Sequence, residues 1–164
     1  MRNAQLRSHL EASVAFSGVM MVLAGAVASG LSLLIGFGGM ISALEDAPLL
    51  ASLGPLAGLL FMPLFYFCGV VIAALPALIA GALFFLAAAS SMLNRIPTPL
   101  VPLLCAAFGY FGVDLSSVVI NGIGFNRNAT VFGTLLGLVG GAALFWFPAL
   151  RPMSDHLRSA RRPT

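Results

Sequence analysis

The chain has 164 residues, of which 60% are hydrophobic and only 8% are charged, so it lacks the polar surface to cover a globule in water. The same figures exclude a disordered chain, which needs low hydrophobicity and high net charge. The net charge of +3 excludes little by itself, but its placement is no nucleic-acid footprint: the basic residues lie at the two ends and in short connections, not on one folded face. All eight are arginine, and with the heavy Ala, Gly and Leu usage this points to a GC-rich bacterial genome.

The first predicted element is an apolar helix over about 13–35, after a polar head that ends at Glu11. Ala26-Val27-Ala28 has the form of a signal-peptidase site, but the apolar run continues to Ile35 where a cleaved protein turns polar. The segment 36–60 is apolar yet interrupted by Gly36, Gly38, Gly39, Pro48, Gly54 and Pro55. It is expected to lie flat on the outer face or to dip back as a re-entrant segment, because irregular backbone at depth must be buried or line water. A second span is expected over about 63–93, kinked by Pro76, and a third over about 99–120, opened by the Thr98-Pro99 cap. The fourth covers about 130–150, and a polar tail follows over 151–164. These runs are apolar on every face, which argues for helices over barrel strands.

Orientation follows from the connections. Head, second connection and tail hold seven of the eight arginines, and the first connection carries Glu45 and Asp46 with no basic residue. Four spans put those seven on one side, which the positive-inside rule makes cytoplasmic. The expected fold class is therefore all-α: a single polytopic membrane domain, a small bundle of four transmembrane helices with both termini in the cytoplasm. Arg95, Arg151 and Trp146 are its expected interface anchors. The expected location is a bacterial inner membrane.

Small residues recur at four-residue spacing: Gly133, Gly137 and Gly141 on the fourth span, Gly69, Ala73, Ala77 and Gly81 on the second, and Ala24, Ala28, Ser32 and Gly36 on the first. Lipid is as apolar as leucine, so helices associate by close packing, which such stripes permit. They serve packing within the chain or pairing with another copy or another membrane protein. Asp114 is the sole acid within a span, and with Ser117 and Arg127 it forms a candidate ion or proton site. The alternative is a carboxylate near the outer surface, paired with Arg127 or capped by serine hydroxyls. Cys68 and Cys105 are expected as small buried hydrophobes without a disulfide, and Tyr66 and Tyr110 as packing aromatics.

Several chemistries lack their parts. His9 and His156 lie in the terminal segments, and there is no zinc motif, no pair of intramembrane carboxylates, and no base for a serine nucleophile. No cofactor or metal is expected. The sequence thus leads to a non-enzymatic membrane protein acting by helix–helix contact, as an accessory or assembly subunit or an immunity-type protein. The alternative is a small homo-oligomeric channel or transporter with Asp114 on its path.

Overall fold

In a computed structural model, residues 2–43, 53–90, 92–121 and 127–146 are described, and among them all regular structure is helical. Four helices carry the fold: α1 (Arg2–Ala43), α2 (Leu53–Ala89), α3 (Val101–Asn121) and α4 (Arg127–Trp146). A single helical turn, Met92–Arg95, and a 3-10 turn, Thr98–Leu100, connect α2 to α3. Three helices contain stretches long and apolar enough to cross a membrane: Leu6–Gly38, Leu53–Ala89 and Val101–Val119. The apolar run of α4, Ala129–Leu144, is shorter, about 24 Å at helical rise.

The main departure from the sequence reading is the length of the first two helices. At 42 and 37 residues they extend about 63 Å and about 55 Å, against roughly 30 Å of hydrocarbon. The parts of 36–60 that are described, 36–43 and 53–60, are helix rather than an irregular segment. Residues 44–52, with Pro48, lie outside the described residues. Two features explain why the presumed breakers do not break. Pro55 is the third residue of α2, within the first turn, where no intrahelical N–H bond is lost. Gly36 is needed for contact: a methyl there would lie 2.5 Å from the Gly54 carbonyl oxygen and 3.1 Å from the Gly58 Cα. Helix α2 also begins well before the expected start and ends at Ala89 rather than near Leu93. Its last turn closes with Ser90 N donating to Leu86 O at 2.9 Å. Helix α3 starts two residues later than predicted, because the Thr98-Pro99 pair sits in the 3-10 turn, where Leu100 N donates to Pro97 O.

The chain divides into two compact units. Unit one comprises Met1–Met20 and Ala74–Thr164. Its core holds Phe16, Met20, Ala80, Phe84, Val101, Cys105 and Leu144, all almost fully buried. Phe16 stacks on Phe84 at 5.3 Å, and Phe84 meets Phe108 edge-on at 6.4 Å. Two serines join α1 to α2: Ser13 Oγ donates to Gly81 O at 2.6 Å and Ser17 Oγ to Ala77 O at 2.9 Å. Helices α3 and α4 pack backbone to backbone. A methyl at Gly109 would collide with the carbonyl of Gly133, one at Gly137 with that of Cys105, and one at Gly141 with the Cys105 side chain.

Unit two, Met21–Ala73, is a pair of helices made from the remaining parts of α1 and α2. It is held by the same device. A methyl on Gly69 would meet Ala24 O at 2.8 Å and Ala28 Cβ at 2.7 Å, and one on Gly58 would meet Ser32 O at 2.9 Å. Ser32 Oγ donates to Gly58 O at 3.1 Å, and the Tyr66 ring lies over Gly25. The outward side is apolar and exposed, with Leu34, Leu60, Phe67 and Ile72 each more than 60% accessible.

Overpacking a close helix contact costs about 1–3 kcal/mol. Gly137→Val should accordingly lower the unfolding temperature of the purified protein in detergent. Gly30→Ala, at a position with no atom within 4 Å of the added methyl, should not lower it and should raise it slightly through alanine's better helix propensity. Equal melting of the two variants would contradict the packing described.

Candidate functional site

The candidate residues fall into two groups with different surroundings. The small-residue group is drawn into helix contacts within the chain. Gly133, Gly137 and Gly141 of α4 face Gly109, Cys105, Val113 and Pro102 of α3, so this stripe is occupied by the neighbouring helix. Ala77 and Gly81 of α2 supply the carbonyls that accept the serine hydroxyls of α1. Gly69 packs on Ala24, Gly25 and Ala28, while Ala73 is half-buried. Gly109 and Gly112 of α3 were not singled out by the sequence reading. Gly109 faces Gly133 and Gly137 of α4, whereas Gly112 packs on Pro76 and Ala80 of α2; the signal for both was the GxxG spacing of the third span.

Asp114 stands on α3, half-buried, with exposed Leu115 and Val118 beside it. Neither serine reaches back to cap it. Ser116 Oγ and Ser117 Oγ both donate to Val113 O, at 2.8 Å and 2.9 Å, which satisfies the hydroxyls within their own helix. Arg127 opens α4, and the ion pairs among the described residues do not include Asp114; the one present joins Arg7 to Glu11 at 3.2 Å on the exposed side of α1. Asp114 and Ser117 are therefore neighbours on one helix without a bond between them. No group of three or more His, Cys, Asp or Glu side chains able to hold a metal occurs among the described residues.

The expected anchors are only partly placed. Arg95 closes the single turn after α2, Trp146 is the last residue of α4, and Arg151 lies outside the described residues. Of the two cysteines expected as small buried hydrophobes, one departs from that expectation. Both are free thiols, Cys105 buried between α3 and α4, but Cys68 is exposed on the outward side of α2. Tyr110 meets Phe111 edge-on at 5.5 Å.

A further buried polar group escaped the sequence reading because it sits in what looks like a polar head. His9 of α1 is only 7% accessible, and its Nδ1 has no hydrogen-bond partner.

Compared with known protein families, with curated proteins and with solved structures, the chain matches none.

An exposed or half-exposed carboxylate outside any ion pair contributes little to folding, within about 0.5 kcal/mol. Asp114→Asn should therefore leave the thermal unfolding of the detergent-solubilised protein unchanged. A clear loss of stability would mean that Asp114 is a structural group.

Proposed function

We propose that this chain is a multi-pass protein of a bacterial inner membrane, with both termini cytoplasmic, that performs no chemistry of its own. It works by laying the outward faces of α1 and α2 against another membrane protein, as an accessory or assembly subunit or an immunity-type protein. The observation that carries this reading is the apolar length of those two helices. Their apolar stretches, 33 residues in α1 and 37 in α2, exceed the roughly 20 residues that cross a bilayer core at right angles, and the outward residues of unit two are exposed Leu, Ile, Val and Phe. The glycine stripe of α4, occupied by α3, is not the partner surface in this reading. On α1, Gly30 and Gly38 have open space where a side chain would be, two turns apart, which suits the close approach of a foreign helix.

A permeation role has less support. Asp114 is a single half-buried carboxylate, and no second acid stands near it on α3.

The test is affinity capture of the tagged protein from its native membrane in mild detergent, followed by mass spectrometry. The wild type should retain a membrane protein in near-stoichiometric amount. Gly30→Phe should lose it while still melting cooperatively, the position being one where an added Cβ has no atom within 4 Å. Purification of the wild type as one free monomer, in a detergent that keeps it folded, would overturn the reading.

A further inference from the structure

We propose that His9 is an acid-sensitive latch holding the start of α1 on the rest of unit one. The imidazole lies on the face of α1 that packs inward, one turn before Ser13 and two before Ser17. The serine contacts pair Ser17 with Ala77 and Ser13 with Gly81 in antiparallel register, so the next turn brings His9 towards Phe85 of α2. Ala87, Ala88 and Leu93, at this end of the unit, are buried as well.

Protonation of His9 meets no compensating carboxylate among the described residues. The neutral ring already buries an Nδ1 without a partner. The charged ring needs acceptors for two N–H groups and a counter-charge, and burying an uncompensated cation is far costlier than burying a neutral polar atom.

Among the described residues the neighbouring elements supply no carboxylate there. Residues 74–90 of α2 contain no ionisable side chain, and neither do residues 129–144 of α4. Arg95, after α2, and Arg127, at the start of α4, carry the wrong sign. The sole carboxylate of α3 is Asp114, two residues beyond Gly112, which packs on Pro76 and Ala80 rather than on the Phe85 turn. On α1 itself Glu11 is engaged by Arg7 on the exposed side. Acid therefore favours the state in which His9 reaches water, and that state requires the first turns of α1 to leave the unit.

Hydrogen–deuterium exchange on the full chain in detergent micelles, corrected for intrinsic rates, reads this directly. Between about pH 8 and about pH 5.5, opening of the amides around His9 should rise by up to about tenfold per unit below about 6.5. Amides of α3 serve as the internal reference. His9→Gln and His9→Phe should both abolish the pH response, and Glu11→Gln should preserve it. Should His9→Phe prove unprotected at every pH, His9→Gln decides. Equal protection of the wild type at both ends of the range would overturn the proposal, as would an unchanged response in His9→Gln.

Discussion

Everything in this fold depends on helices approaching until backbone touches backbone. Among apolar surroundings there is no hydrophobic expulsion to press one helix on another, so contact area and hydrogen bonds must supply the attraction. Both demand a short interaxial distance. At Gly109, Gly133 and Gly137 a single methyl would run into a facing main-chain atom, and the α3–α4 contact exists because that methyl is missing. The serines of α1 exploit the same closeness: Ser13 and Ser17 reach main-chain oxygens of α2 across a gap that a larger residue at Gly81 would fill. Glycine is costly in an isolated helix, by roughly 1 kcal/mol relative to alanine. The expense is repaid where the facing helix gains dispersion contacts along the whole ridge.

Close packing explains the inside of each unit and leaves a large apolar surface outside it. The residues excluded from the contacts are large and branched, including Leu34, Leu60, Phe67 and Ile72. Lipid chains cover such a surface well, but only over the thickness of the hydrocarbon, and α1 and α2 are apolar for longer than that. In a bilayer such excess length is met by tilt, by kinking or by contact with another protein. This is why the proposed role rests on α1 and α2, and why the absence of acid–base pairs and metal clusters in the described residues is of secondary weight.

Much of the helical content was legible in the sequence, because an unbroken apolar run of span length has few alternatives. The four-residue spacing of small residues likewise marks the faces that come together. Two things were hidden. Gly36 and Pro55 read as breakers, since sequence carries no sign that Gly36 meets Gly54 across the helix pair or that Pro55 falls within a first turn. The partner of the α4 stripe was hidden too, because Gly109 fits no long repeat and reveals its role only beside Gly133 and Gly137. His9 shows the same limit from the polar side. Its neighbours in the chain are charged and exposed, yet helical geometry turns it inward with Ala12 and Ser13.

The α3–α4 contact can be probed where Gly109 meets Gly137, since a methyl added at either lies 3.1 Å from the Cα of the other. Thermal unfolding in detergent is compared for Gly109→Ala, Gly137→Ala and the double variant. Each single variant should be less stable than the wild type, although alanine is the better helix former, and the double variant should lose less than the sum of the two. Single variants as stable as the wild type or more so would contradict the close helix pair on which this account is built.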